Sequence, residues 1–376
     1  MSTRSSELRV DGSSLKSWSR AALLAAGVSQ PQAESVADAV LESDLRGIHT
    51  HGVEMLPRYV RGYLQGFLNP LAEPHRVGGR GAVARWDGDN GLGHYACDLA
   101  VDALAVMARE HGVGVVAVRN SNHFGMAARY AMKLASRRLI GFVTTSTPPV
   151  MPALDSAKVV IGNNPLAWAI PRRQGNPIVL DMAVSAVARG KIRLAASAGK
   201  AIPLGWAVDR DGEPTTDAGA ALDGSLLPVG GAKGYGLAVV HELLSGALSG
   251  ARMMTEISTR TITVGDLHDS WGIGHLFLAI DPDASVGLEE FFDRVEMAAA
   301  VLTQQVTRSG QPVLLPGAPE FEWARRNAES GIALPAHVVG TLDEIADQLG
   351  IARLAPPDSI RKRAVRGRAK RPRARL

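Results

Sequence analysis

The pattern that most constrains this chain lies between residues 111 and 146. The run HGVGVVAVRNSNHFG (111–125) carries an apolar strand over Val113–Val118, ended by the polar turn Arg119–Asn122. A helical stripe follows, with Phe124, Ala127, Ala128, Ala131, Leu134 and Ala135 on one face, and then a second strand over Leu139–Thr145. Strand, helix and strand in succession specify an α/β protein. Forty glycines in 376 residues suit its many tight turns. That length suffices for about two or three domains.

The flanks are helical at both ends. Residues 12–27 read as a helix stopped by Gly27. Ser29-Gln30-Pro31 opens a second helix, with Ala33, Val36, Ala37, Val40 and Leu41 on one stripe. A third spans about Leu56–Leu68 and stops before Asn69-Pro70. Residues 75–90 read as a strand and turn, and 95–111 as a helix. Short strands are expected at Val159–Ile161, Leu166–Ile170 and Ile178–Leu180. The alanine-rich Asp181–Ala201 reads as a helix, and so does Leu288–Val306. Leu315–Glu320 reads as a turn, and Asn327–Pro335 with Leu342–Leu349 as a closing helical segment. Gly91–Ala96 matches G-x-G-x-x-A, but it follows Asp87-Gly88-Asp89-Asn90 rather than an apolar strand, so it is a glycine-rich turn and not a dinucleotide fingerprint.

The net charge of +4 is a property of one end. Residues 361–376 hold nine Lys/Arg and no acid, and the remaining chain has 32 basic against 37 acidic residues. The tail reads as a solvated, disordered end, and nucleic-acid binding through it as a rival reading that salt would weaken steeply. The single cysteine, Cys97, allows no disulfide within one chain and points to a reducing compartment. No apolar run reaches membrane-spanning length, and the first residues lack a signal-peptide core, so a cytoplasmic location is expected.

Chemistry concentrates in DLRGIHTHGVEMLPRYVRGYLQGFLNP (44–70), which gathers Arg46, His49, Thr50, His51 and Arg58. Imidazoles beside guanidiniums suit an anionic substrate and a proton transfer. His49 and His51 form an H-x-H pair, but His123, Asp181 and His268 have no metal-ligand spacing to them, so no metal is expected. The same residues suit carbonyl reduction: an imidazole gives the proton, Thr50 orients the ring, and a guanidinium holds a carboxylate by a forked pair of bonds. The hydride donor would be a nicotinamide, which needs anion-binding backbone elsewhere. LPVGGAKGYGL (227–237), with glycines before an apolar helix and Lys233 at its start, has that character without the spacing of a P-loop.

With these motifs in place, the chain resembles the malate/L-lactate dehydrogenase-like family of NAD(P)-dependent oxidoreductases, whose fold is not the Rossmann fold. The resemblance covers roughly residues 13–350. It rests on DLRGIHTHG (44–52), LPRYV (56–60), DGDNGLGH (87–94), HGVGVVAVRNSNHFG, GNNPLAWAIP (162–171), DMAVSAVARGK (181–191), AVDRDGEPTTD (207–217), AKGYGL (232–237), ALSG (247–250) and LPGAPE (315–320), in the family's order. It implies an α/β fold with a mixed, largely antiparallel cofactor-binding sheet over 76–287. A helical domain would be built from residues 1–75 and 288–355, followed by a disordered basic tail, 356–376. It implies a homodimer, NAD or NADP as cofactor, and interconversion of 2-hydroxy and 2-oxo acids.

Residue by residue, the resemblance makes His51 the proton donor with Thr50 beside it, and His123 a second histidine used for acid–base work or cofactor contact. Asn163 falls at a substrate contact. His123, Phe124, Gly125, Asp181, Met182, Ala183, Ala232, Lys233, Gly317 and Glu320 fall in cofactor-binding segments. Two departures stand out. Met55 occupies the place of an arginine that holds the substrate carboxylate in many members, which leaves that role to Arg58 or Arg46 and suits bulkier 2-oxo acids of the broad 2-hydroxycarboxylate subgroup. Lys191 stands where relatives that reduce a cyclic imine 2-carboxylate have an aspartate, which weighs against that alternative.

Overall fold

The computed structural model describes residues 8–257 and 270–355. The basic tail and His268 lie outside them. The chain divides into two compact units, the described residues of Met1–Leu64 with Glu320–Leu376, and Gln65–Pro319.

The first unit begins with β1 (Leu8–Val10), α1 (Gly12–Ala25), α2 (Gln30–Leu45) and α3 (Leu56–Leu64). Asp11 ends β1 and caps α1, its carboxylate accepting the Ser14 N–H at 2.8 Å. α2 starts where Ser29 and Pro31 predict, although the Ser29 hydroxyl accepts from Gln32 Nε2 at 3.2 Å rather than from a backbone N–H. The stripe of Ala33, Val36, Ala37 and Val40 is fully buried, which is what the 3.6-residue period requires of a core-facing helix.

The second unit carries β2 (His75–Gly78), β3 (Val83–Asp87), α4 (Gly93–His111), β4 (Val113–Ser121), α5 (Ala127–Ala135) and β5 (Ile140–Thr145). It continues with β6 (Met151–Pro152), β7 (Val159–Ile161), β8 (Leu166–Ile170), β9 (Ile178–Met182), α6 (Arg189–Ser197), β10 (Ala207–Val208), α7 (Ala218–Asp223), β11 (Ser225–Leu226) and α8 (Ala232–Glu242). β12 (Ile273–Ile280) and α9 (Leu288–Thr303) complete it. Seven strands form one sheet in the order β2-β3-β4-β12-β5-β8-β9. Among the described residues of this sheet only β3 and β4 pair in parallel, joined by the α4 crossover; the other pairs are antiparallel. The sheet is thus mixed and largely antiparallel, unlike the parallel order of a Rossmann domain.

The chain end returns to the first unit with α10 (Ala318–Ser330), β13 (Ile332–Leu334) and α11 (Ala336–Leu349). β13 pairs antiparallel with β1, Val10 opposite Ile332 and Leu8 opposite Leu334. Both chain ends therefore build this unit. α9, grouped with the chain ends in the sequence reading, is tied instead to the sheet unit, where Arg172 grips Glu296 and Arg173 bonds Asp293.

Two local expectations are corrected. Asn327–Pro335 is not one helical stretch, because Ile332–Leu334 is drawn out to pair with β1. Asp181–Ala201 is helical only from Arg189. Asp181 and Met182 belong to β9, where they face Ala167 and Leu166 of β8. Strand pairing overrides the alanine-rich composition there.

Candidate active site

Asp44, near the C-terminal end of α2, is buried and organises the loop that follows. Its Oδ2 accepts the Val53 N–H at 2.7 Å, and its Oδ1 lies 2.8 Å from His49 Nδ1. Burial pushes the Asp44 carboxyl up, and the His49 ring and the Val53 N–H oppose that; the carboxyl in turn raises the His49 imidazole. Gly52 passes directly over this carboxyl. A Cβ at Gly52 would sit 2.1 Å from Asp44 Oδ1, so the close approach itself demands glycine. From α10, Asn327 Nδ2 donates to the Leu45 carbonyl at 2.9 Å and to the Asp44 carbonyl at 3.3 Å. The Leu45 carbonyl at the end of α2 is thereby satisfied, and the Asp44 carbonyl, which already accepts the Gly47 N–H at 3.1 Å, gains a further donor.

On this brace sit two short 3₁₀ turns, His49–His51 and Val53–Met55, leading into α3. Thr50 Oγ1 lies 3.1 Å from His51 Nδ1. Burial pushes the His51 imidazole down to about 4, so the ring is neutral at pH 7. Met55 and Arg58 are three residues apart on continuous helical backbone and share a face. Burial also lowers the Arg58 guanidinium from its ordinary value. Arg46 is already engaged, 3.3 Å from Glu42 Oε1 and with its guanidinium 4.6 Å from the Phe321 ring centroid. Glu320, also in this unit, lies in the first turn of α10.

In the sheet unit, His123, Phe124 and Gly125 follow β4. Phe124 is stacked between His275, at 4.6 Å, and Tyr130, at 5.1 Å, and the Tyr130 hydroxyl donates to the Phe124 carbonyl at 2.6 Å. His123 meets His94 and Trp271 edge-on. Gly125 has φ +78°, and a Cβ there would approach His94 Nε2 to 2.8 Å. His275 is fully buried, with Nδ1 2.7 Å from Thr145 Oγ1 and Nε2 2.8 Å from Ser121 Oγ, and burial takes its pKa down to about 3. The segment carrying His123 is therefore held on a column of packed rings.

Asp181 does not cap α6. It reaches across from β9, and its Oδ2 accepts the Ala128 N–H at 3.0 Å, in the first turn of α5. Met182 is in β9 and Ala183 follows it. Gly317, φ +84°, packs on Val179 of β9, and the Val179 N–H donates to the Pro316 carbonyl at 3.0 Å. Asn163 lies between β7 and β8, its Oδ1 3.0 Å from Thr147 Oγ1.

Ala232 and Lys233 open α8. Gly230 and Gly231 before them have φ +62° and +63°, and a Cβ on the first-turn Gly234 would strike the Val229 carbonyl at 2.1 Å. Two glycines at positive φ lead into an exposed helix N-terminus, whose first-turn N–H groups and Lys233 form an anion-favouring donor set. This donor set fits the phosphates of a dinucleotide. Among the described residues, no group of three or more His, Cys, Asp or Glu could hold a metal ion.

The malate/L-lactate dehydrogenase family matches residues 10–343. The chain belongs to that family. L-sulfolactate dehydrogenase of Methanocaldococcus jannaschii is 36% identical over 327 residues, 86% of this chain and 92% of that protein. The solved structure of sulfolactate dehydrogenase from Methanocaldococcus jannaschii superimposes with a TM-score of 0.85 at 34% identity, covering 92% of this chain and 98% of that one. (2R)-3-Sulfolactate dehydrogenase (NADP(+)) of Chromohalobacter salexigens is 36% identical, across 86% of this chain and 93% of that protein. A Delta(1)-pyrroline-2-carboxylate/Delta(1)-piperideine-2-carboxylate reductase of Pseudomonas aeruginosa is 34% identical, across 82% and 90%.

In this member of the family, Asp44 and Gly52 are what reading by residue type missed. The available signal was the glycine directly after the histidine motif. Gly52→Ala must displace the Asp44 carboxyl, and we expect it to cost roughly 1–3 kcal/mol of stability by overpacking, measured by urea unfolding. Wild-type stability in that variant would show that the carboxyl moves aside freely.

Proposed function

We propose that the chain is an NAD(P)-dependent oxidoreductase interconverting 2-hydroxy and 2-oxo acids, with His51 as the acid–base group. The observation that carries this reading is the Thr50–His51 pair on its Asp44 brace, in a chain of the malate/L-lactate dehydrogenase family. The nicotinamide, when bound, supplies or takes up the hydride at the substrate C2. His51 holds the proton that goes to the 2-oxo oxygen, or takes it from the 2-hydroxyl. For Nε2 to exchange the proton Nδ1 must keep its own, so the Nδ1–H donates to the Thr50 hydroxyl in both protonation states of the ring and fixes its tautomer. Lys233 and the α8 N-terminus hold phosphate, and His123, Phe124 and Gly125 line the nicotinamide. Asp181, Met182, Ala183, Ala232, Gly317 and Glu320 complete the cofactor contacts.

Arg58 is favoured over Arg46 as the carboxylate anchor, because it shares a helical face with Met55, the position that departs from the family pattern. Met55 beside Arg58 gives an adaptable apolar wall. That fits malate- or lactate-like acids and admits bulkier ones. The relatives named for sulfolactate support substrates with a second anionic group. The reductase of Pseudomonas aeruginosa supports a second reading, reduction of a cyclic imine 2-carboxylate; Lys191, exposed at the start of α6, favours the ketone. Leu237, Val240, Leu243 and Leu248 stand exposed along α8 and its continuation, which supports a homodimer. The single cysteine is buried, which supports a reducing, cytoplasmic setting.

His51→Ala is expected to lower turnover by roughly 10²–10⁴ in both directions, with oxaloacetate and 3-sulfopyruvate as 2-oxo acids and NADH or NADPH followed by absorbance. The wild-type pH profile should show the neutral ring. Oxidation needs the unprotonated base, so its kcat/KM should be level through neutrality and fall below about pH 4. Reduction needs the protonated form, so its kcat/KM should decline about tenfold per pH unit above that value. Arg58→Met is expected to raise KM for the 2-oxo acid about 10–100-fold, with kcat changed less. An unchanged KM would move the anchor to Arg46.

A further inference from the structure

The loop that carries Asn163 is interlocked with a buried carboxylate at the far end of α8. Asn164 and Glu242 are both fully buried. Asn164 Nδ2 donates to Glu242 Oε2 at 2.7 Å and to the Ala238 carbonyl at 3.0 Å, and its Oδ1 accepts the Thr147 N–H at 3.0 Å. Glu242 Oε1 accepts the Met254 N–H at 2.6 Å. Burial raises the Glu242 carboxyl, and these two donors oppose that. Gly162 admits no side chain here: a Cβ would lie 2.3 Å from the Thr147 carbonyl and 2.5 Å from Asn164 Oδ1.

The chain of bonds ends on Asn163. With its backbone N–H on Asn164 Oδ1, Thr147 sets its hydroxyl 3.0 Å from Asn163 Oδ1. The hydroxyl donates to this amide oxygen, the nearer of two acceptors since Asn164 Oδ1 lies at 3.4 Å, which favours one orientation of the Asn163 amide. Its carbonyl faces Thr147 and its N–H₂ faces away. An anionic or carbonyl group of a substrate needs a donor, so this is the useful orientation. Glu242 also stands at a junction. The helix changes there from α8 to a π-turn over Leu243–Ala247, a widened turn that recurs at functional sites. The same helix presents Lys233 at its other end.

We propose that Glu242 is a positioning residue: through the Asn164 amide and Thr147, its carboxylate orients Asn163 as a hydrogen-bond donor to the substrate. This rests on the reading that Asn163 contacts the substrate. Glu242 itself touches neither substrate nor cofactor, and its effect belongs in substrate KM rather than in cofactor binding.

The test measures kcat and KM for oxaloacetate or 3-sulfopyruvate, whichever is turned over, with the Kd of NADPH or NADH read by fluorescence. Glu242→Gln sets an amide donor against the Asn164 or Met254 donor, and Asn164→Asp sets two carboxylates together. Each is expected to raise KM about tenfold and leave the cofactor Kd within about twofold. The double variant Asn164→Asp/Glu242→Gln restores one donor facing one acceptor at that pair while leaving the Ala238 carbonyl without its donor, and should bring KM back part of the way, below either single variant. Thr147→Val removes only the hydroxyl that orients Asn163, and should raise KM by a similar factor even if the buried variants fold poorly. Asn163→Ala serves as the reference. Raised KM in Asn163→Ala with unchanged KM in Glu242→Gln or Thr147→Val overturns the positioning role, as does a double variant no better than the singles. Unchanged KM in Asn163→Ala removes the substrate-contact reading itself, and the proposal with it.

Discussion

One buried carboxylate holds the candidate chemistry in place. Asp44 lies under the turn from His49 to Val53, bonded to the Val53 N–H and the His49 ring and roofed by Gly52. An isolated carboxylate at such a depth would be costly, and these bonds offset the loss of water. In return the loop has one shape. The backbone that carries Thr50 and His51 is pinned on both sides, and Asn327 fastens the preceding helix end from the other terminus of the chain. A proton-transferring imidazole is useful only if its position is fixed, and here the fixing lies beneath it rather than beside it.

Much of this was legible in the sequence, and the misses share a cause. The buried stripe of α2, the strand–helix–strand run through β4, α5 and β5, and the strands Val159–Ile161 and Leu166–Ile170 follow from local periodicity. The candidate residues Thr50, His51 and Arg58 follow from residue type near a helix junction. What local reading missed depends on distant partners. Ile332–Leu334 is a strand because Leu8–Val10 pairs with it from the other end of the chain. Asp181 is a strand residue whose carboxylate serves the first turn of α5. Asp44 reads as an ordinary acid at a helix end until Gly52 is seen resting on it. Arg46 and Arg58 are equivalent by type, and their places on the backbone separate them: Arg46 follows α2 beside Glu42 and Phe321, and Arg58 shares a helical face with Met55.

The sheet unit follows the same logic with different groups. His275 spans the hydroxyls of Ser121 and Thr145 from the central strand β12, and its ring supports Phe124 beside His123. Asn164 and Glu242 tie the Asn163 loop to α8. In each case a buried polar group satisfied by short-range bonds fixes a half-buried group next to it. Fully satisfied networks rigidify, and partly satisfied ones are costly, so these supports also explain why glycine recurs at Gly52, Gly125 and Gly162, where another group occupies the space of a side chain.

The most direct test of the central claim follows the hydride. With NADH or NADPH deuterated at both C4 positions of the nicotinamide and oxaloacetate or 3-sulfopyruvate as acceptor, the 2-hydroxy acid product is examined by proton NMR. The account predicts deuterium at C2 of the product, delivered from the cofactor and not from solvent. Product with protium at C2, or no turnover of any 2-oxo acid by the intact chain with either cofactor, would contradict it.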